Sequence, residues 1–319
     1  MSELHKFLFD GLPVRGMIVR LTDAWTEILA RRTTDAAAGE WPWPVAQMLG
    51  EMAAAGVLMQ SNIKFNGALV MQIFGEGPVK VAVAEVQHDL SLRVTAKVVG
   101  DVAPDAHLQD LVNVTGKGRC AITLDPRDKL PGQQPYQGVV PLNASQGGAR
   151  PKLSDVLEHY MRQSEQLDTR LVLAADENVA AGVLIQRLPA EGEGNLRDKM
   201  DLAEQMEHFN RIATLAASLT AGELLSLDVE TVLRRLFWQE KLLRFDLQTP
   251  RFACTCSRDR VAGMIRSLGH EEVDSILAER SQIDVSCDFC GQHYRFDAVD
   301  AAQIFMAPGD RPPGPSTVQ

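Results

Sequence analysis

The order in which apolar and polar residues follow one another changes character twice along this chain. Residues 45–60, VAQMLGEMAAAGVLMQ, place apolar side chains at helical spacing among strong helix formers and predict a helix. Beyond it come short runs separated by turn signals: GALVMQIFG, GPVKVAVAEVQ, LRVTAKVVG, GRCAITLD and YQGVVPL. Their β-branched content and rough alternation predict strands, antiparallel, with one face buried. A helix is expected over residues 153–166, opened by Ser154 or Pro151, and then two more strands, TRLVLAAD and AAGVLIQRLPA.

At EGEGN, residues 191–195, the texture shifts and a domain boundary is expected. Residues 196–250 read as almost wholly helical. Thr220 with Glu223 forms a candidate capping box, and Asp228 is placed to cap a helix through VETVLRRLFWQE. Such short amphipathic helices are marginal alone and need a neighbour to cover their apolar faces. Residues 251–305 form a small third unit. The proline- and glycine-rich end, APGDRPPGPSTVQ, predicts a disordered tail over residues 306–319. The fold class is therefore α+β: a mixed sheet and helix core over residues 1–195, a helical linker over 196–250, and a small C-terminal unit over 251–305.

Composition narrows the function classes. The 319 residues are ample for a core that needs no disulfides, and no apolar run approaches the roughly 18 residues of a membrane span. The opening MSELHKFLFDGLPVRG lacks a signal-peptide core, so a cytoplasmic location is expected, with no membrane partner. A net charge of −10 weighs against a general phosphate-backbone binder, and no nucleic-acid partner is expected. GKGRCAIT lacks the spacing of a nucleotide-binding loop, and FGEGPVKV is better read as a hairpin turn. No enzymatic activity is expected.

The cysteines change the picture most. Cys254 and Cys256 form a C-x-C clip, thirty residues intervene, and Cys287 and Cys290 form a C-x-x-C clip. In a reducing compartment paired cysteines point to metal or redox chemistry. Two short clips supply the four thiolates of a tetrahedral zinc site, so one Zn²⁺ is expected on Cys254, Cys256, Cys287 and Cys290. The spacer carries helical runs around RVAGMIRSL and EEVDSILAER, broken by Gly269, and Gly291 with HYRFDA suggests a tight turn into a strand. His270 and His293 are expected to be bystanders, and Cys120 a small buried residue. Zinc-held thiolates remain nucleophilic, so metal loss and disulfide formation are coupled. Bonds within each clip would close tiny loops and let the unit loosen, whereas a long-range bond such as Cys254 to Cys290 would lock it.

These motifs, CTCSRDR, EEVDSILAE and CDFCGQHYRF, resemble the zinc domain of the heat shock protein 33 family of redox-regulated chaperones. The likeness continues in HYMRQSEQLDTRL, YQGVVPL, IKFNG and FLFDGLPVRG, and so spans nearly the whole chain. The resemblance implies a holdase that binds unfolding proteins without ATP and is inactive while reduced and zinc-bound. It also implies disulfides Cys254–Cys256 and Cys287–Cys290 on oxidation, release of zinc, unfolding of residues 251–305 and destabilisation of the linker. It implies a homodimer when oxidised, and transfer of clients to the seventy-kilodalton heat-shock system. Within LRRLFWQEKLLRF, Leu236, Phe237 and Trp238 are expected to be buried while the linker is docked and to bind clients when it is released.

Two rivals remain. A zinc-ribbon nucleic-acid binder could use Arg258, Arg260 and Arg266, against the acidic run HEEVD. A thiol–disulfide oxidoreductase could use the Cys287 to Cys290 clip, but the βαβ context of such enzymes is missing from the pattern.

Overall fold

The computed structural model describes residues 1–34, 39–128, 132, 134–143, 150–188 and 201–306. The chain opens with a hairpin, β1 (Glu3–Phe9) and β2 (Val14–Leu21). Successive side chains point to opposite faces, and here both faces are covered. Leu4, Met17, Val19 and Leu21 enter one core, while Phe7, Phe9, Val14 and Ile18 enter another. A strand buried on both sides needs no polar positions, so it shows no alternation in sequence.

Helix α1 (Asp23–Thr34) leads to α2 (Trp43–Gln60), and then β3 (Gly67–Phe74), β4 (Val79–Gln87) and β5 (Ser91–Val98) follow as a meander. A short α3 (Leu108–Val112) precedes β6 (Arg119–Pro126) and β7 (Tyr136–Pro141). Helix α4 (Leu153–Ser164) precedes β8 (Thr169–Ala175) and β9 (Ala180–Arg187). Helix α4 is capped at Lys152 rather than at Ser154 or Pro151, with the Asp155 carboxylate accepting from the Lys152 backbone N–H at 2.9 Å.

Helix α2 lies between two sheets and touches strands of both, which is why it is apolar almost all the way round. Its packing is close. A Cβ added at Gly50 would stand 2.5 Å from the Ala175 methyl. No basic residue occupies its last turn, but Lys6 reaches across from β1 to donate to the Ser61 carbonyl at 2.5 Å. That places a cation at the negative end of the helix dipole.

Helices α5 (Leu202–Ala217), α6 (Ala221–Ser226) and α7 (Val229–Phe237) cover the outer face of the β1–β2–β9–β8 sheet. The expected caps are present: Thr220 with Glu223 opens α6, and the Asp228 carboxylate accepts from the Thr231 N–H at 2.9 Å to open α7. Arg20 on β2 holds the far end of α6, its Nη1 donating to the Leu224 and Leu227 carbonyls at 2.7 Å each.

The helical expectation for residues 196–250 fails after Phe237. The chain there becomes extended, with β10 (Leu242–Arg244) pairing antiparallel with β1 and β11 (Arg251–Phe252) pairing parallel with β5. Edge pairing of backbone overrides a weak local helical pattern in this stretch. The first sheet thus runs β10-β1-β2-β9-β8 and the second β11-β5-β4-β3-β6-β7.

The remaining elements are α8 (Arg258–Leu268), α9 (His270–Arg280), the hairpin β12 (Ile283–Ser286) and β13 (His293–Phe296), and α10 (Ala298–Phe305). They share a small core of Ile265, Val273, Ile283, Phe296, Ala301 and Ile304. Gly269 separates the two helices at φ +92°, a conformation that favours glycine, as its position between helical runs suggested. The boundary expected at residues 191–195, the first five linker residues and the tail after Met306 lie outside the described residues.

Candidate metal centre

Two turns bring the cysteines together. Cys254 and Cys256 lie in irregular chain between β11 and α8, fixed on one side by β11 and on the other by Ser257, whose hydroxyl accepts from the Arg260 N–H at 3.2 Å. Arg258 ties this start to the rest of the unit through Asp300 at 2.8 Å and the face of Phe296 at 4.2 Å. Cys287 and Cys290 sit in the β12–β13 turn. The Cys290 and Gly291 N–H groups both donate to the Cys287 carbonyl, at 3.2 and 2.8 Å, and Gly291 takes φ +69°.

The four sulfurs lie within 4.8 Å of one another, Cys254 to Cys287 at 3.7 Å and Cys256 to Cys290 at 3.4 Å. Ligands at a Zn–S distance of about 2.3 Å around a tetrahedral centre stand about 3.8 Å apart, so the donor set fits such an ion in number, chemistry and spacing. All four are free thiols. The hydrogen bond with Cys287 pulls the Cys254 thiol down to about 4 against the effect of burial, aided by the Cys256 backbone N–H and Arg93. The same pairing, with burial, pushes Cys287 up, and burial pushes Cys290 up to about 11. The Tyr294 hydroxyl donates to Cys256 Sγ at 3.1 Å.

The sheet also reaches the cluster. Arg93 on β5 directs Nη1 to Cys254 Sγ at 3.6 Å and lies 4.2 Å over the Phe289 ring, while Thr95 Oγ1 donates to the Asp288 carbonyl at 2.8 Å. Sequence reasoning missed Arg93 and Thr95. They stand far from the cysteines along the chain, and nothing in SLRVTAKV sets them apart from ordinary strand residues.

His270 pairs with Asp274 at 2.7 Å and His293 with Asp284 at 2.9 Å, so both are engaged away from the thiols. Cys120 is fully buried in β6, and burial pushes its thiol up to about 12. Leu236 and Phe237 are buried against the first sheet. Trp238, expected beside them, is 73% exposed. The buried face of α7 runs through Val229, Val232, Leu233, Leu236 and Phe237, and one further residue turns about 100° away to solvent.

A family model described as Hsp33 protein matches residues 2–297, which include all four clustered cysteines. The chain belongs to the Hsp33 family. A 33 kDa chaperonin of Chromobacterium violaceum is 43% identical over 304 residues, covering 95% of this chain and 94% of the relative. Another from Methylobacillus flagellatus is 42% identical over 305 residues, with the same coverage of each chain. The crystal structure of a 33 kDa chaperonin from Thermotoga maritima superposes with a TM-score of 0.72 at 18% identity, over 95% of this chain and 97% of that one. The α+β class and the resemblance read from the cysteine motifs are both met. The relatives carry a chaperone name rather than that of an enzyme, and no helix among the described residues is long and apolar enough to cross a membrane.

Proposed function

We propose that this member of the Hsp33 family is a redox-regulated, ATP-independent holdase, silent while its four cysteines are reduced and metal-bound. The observation that carries the proposal is the four-thiol cluster, the only group of three or more metal-binding side chains of its kind among the described residues, seated against the main sheet. Zinc is the expected ion. When bound, it supplies a cross-link between the two clips and keeps the sulfurs as thiolates.

Oxidation by a peroxide would take two electrons from each clip. The Cys254 and Cys256 thiolates join in one S–S bond, Cys287 and Cys290 in another, and for each bond one O–O bond breaks and two protons are taken up to give two waters. Bonds within the clips are the proposed pairing, as the resemblance to the family implies. The pair-forming thiolates then no longer serve as a metal donor set, and the small core around Ile265 and Phe296 loses its cross-link.

Residues 196–250 would act as the metastable linker between the core of residues 1–195 and the switch unit of 251–305. Helices α5–α7 cover the first sheet with Phe209, Ile212, Leu224, Val232, Leu233, Leu236 and Phe237, all buried. At about 1.5–3 kcal/mol for each fully buried side chain, release uncovers an upper estimate of roughly 10–20 kcal/mol of apolar contact available to an unfolding client. Trp238 is already exposed and adds no new surface on release. The oxidised form would act as a homodimer in the cytoplasm and hand clients to the seventy-kilodalton heat-shock system.

The test is suppression of client aggregation, followed by light scattering, with zinc release read in the same samples. Suppression by the oxidised, metal-free protein alone supports the proposal. Equal suppression by both forms, or by neither, leaves the cluster a structural cross-link.

A further inference from the structure

Arg93 stands directly opposite Glu85 in the β4–β5 register. Its Nε and Nη2 both donate to Glu85 Oε2, at 3.1 and 2.6 Å, and the two side chains are only 14% and 15% exposed. This leaves Nη1, which points at Cys254 Sγ, while the guanidinium plane rests on the Phe289 ring between Cys287 and Cys290. Thr95, on the same strand two residues on, binds the Asp288 carbonyl, and the Ala253 N–H donates to the Leu92 carbonyl at 3.1 Å. The ties of Ala253, Cys254 and Asp288 to the second sheet thus fall on one short stretch of β5. Of these ties, only that of Arg93 depends on the charge of a cysteine.

We propose that Arg93 is a positioning residue that latches the cysteine cluster to the second sheet by reading the negative charge on Cys254. The inference rests on the redox-switch proposal above. Four thiolates around one divalent ion would carry two net negative charges, which a largely buried arginine already neutralised by Glu85 can still bind through its remaining N–H groups. A hydrogen bond to an ionised acceptor is about twice as strong as one to a neutral atom. When a peroxide draws two electrons from the Cys254 and Cys256 thiolates, forming S–S and leaving two waters after uptake of two protons, the anionic acceptor is gone. The Arg93–Glu85 pair survives, but its grip on the clip is lost. The β11 pairing, two residues long, is then the main backbone contact left, and the clip leaves the sheet.

The test uses the full chain as wild type, Arg93→Met, Arg93→Lys and Phe289→Leu, each reduced and zinc-loaded and each after peroxide. Amide exchange over residues 251–253 reads docking, and zinc content reads the cluster itself. In the reduced form Arg93→Met keeps its zinc but exchanges roughly ten- to a hundredfold faster at the Ala253 amide, as expected for one lost charge-assisted hydrogen bond. Arg93→Lys, which keeps the charge, recovers part of the protection. After peroxide, wild type and Arg93→Met exchange alike. Phe289→Leu, which removes the ring beneath the Arg93 guanidinium, weakens docking in the reduced state and changes nothing after peroxide.

The latch is overturned if reduced Arg93→Met exchanges as slowly as wild type, or if its difference from wild type persists undiminished after oxidation. It is equally overturned if oxidised wild type stays as protected at residues 251–253 as the reduced protein. The parent proposal is scored separately by the client assay on wild type. Failure there, with the Arg93 effect still confined to the reduced state, removes the holdase reading and leaves the latch standing.

Discussion

Phe237 offers the sharpest way to separate docking of the helices from the chemistry of the cysteines. Its ring is 2% exposed and meets Phe9 edge-on, centroids 5.0 Å apart at 88°, with Phe7 tilted at 6.2 Å. Truncating a buried phenylalanine to alanine costs about 3–5 kcal/mol, of which two aromatic contacts supply about 0.5–1.5 kcal/mol each. The loss falls on the seam between α7 and the first sheet, and at roughly 3.3 Å per residue up to about 55 Å of extended chain lies between Phe237 and Cys254. At 1.4 kcal/mol per factor of ten, even the lower figure raises the undocked fraction of α7 about a hundredfold. Reduced, zinc-loaded Phe237→Ala is therefore expected to exchange its α7 amides about a hundredfold faster and to suppress client aggregation partly without any oxidant, while its zinc stays bound. Trp238→Ala is the control. It removes an exposed side chain and should shift stability by less than about 0.5 kcal/mol. Faster α7 exchange with no gain in client holding would refute the idea that this face grips clients, and unchanged exchange would refute its role as the anchor.

Cys287→Ser should lose tight zinc and leave residues 251–305 unfolded even under reduction; amide exchange there as slow as in wild type would count against it. Cys120→Ser should leave the peroxide response unchanged, and Cys120 should resist thiol labelling until the protein unfolds, since burial holds the thiol up at about 12. Glu51 on α2 is pushed up to about 7 by burial, against the opposing effects of Gln47 and Lys152. The folded protein keeps that proton where the unfolded chain has released it, so its stability falls as pH rises from about 4.5 to about 7. Glu51→Gln should then match wild type in denaturant midpoint near about pH 5 and exceed it near about pH 8.

The parts of this fold that show in the sequence are those where one local rule acts alone. The β3–β4–β5 meander, the caps at Thr220 and Asp228 and the break at Gly269 follow from alternation, a side-chain oxygen or a missing Cβ. The first hairpin and α1 were not read, because β2 is covered on both faces and its apolar residues run on without alternation. Strands β10 and β11 were not read either. They are only three and two residues long and exist because β1 and β5 offer free edges. The four thiols of the candidate site were plain from their spacing. Arg93, Glu85 and Thr95 were not, since only the folded sheet brings them to the cysteines.

That contrast bears on how a change at the thiols could travel. Sixteen residues lie between Phe237 and Cys254, and they are held by β10 and a Leu4–Gln248 bridge on one sheet, β11 on the other and a set of surface ion pairs. Arg244 pairs with Glu230 of α7, Lys241 with Asp10 at 2.7 Å, and Arg251 with Asp89 at 2.5 Å. Exposed pairs of this kind contribute about 0–1 kcal/mol each and are screened by salt. Both ends of the stretch are fixed more firmly, Phe237 by buried aromatic packing and the cysteines by their cluster. A segment with strong ends and a weak middle keeps its place only while both ends hold. If the cysteine end lets go, two short edge strands, the backbone bridge between Leu4 and Gln248 and a few screened ion pairs keep residues 238–253 on the sheets. Strand β10 and the Arg244–Glu230 pair then lose support from one side, and the load passes to the α7 seam at Phe237. In the proposed switch, the exposed and poorly anchored middle is what lets an event at four sulfurs reach an apolar face on the other sheet.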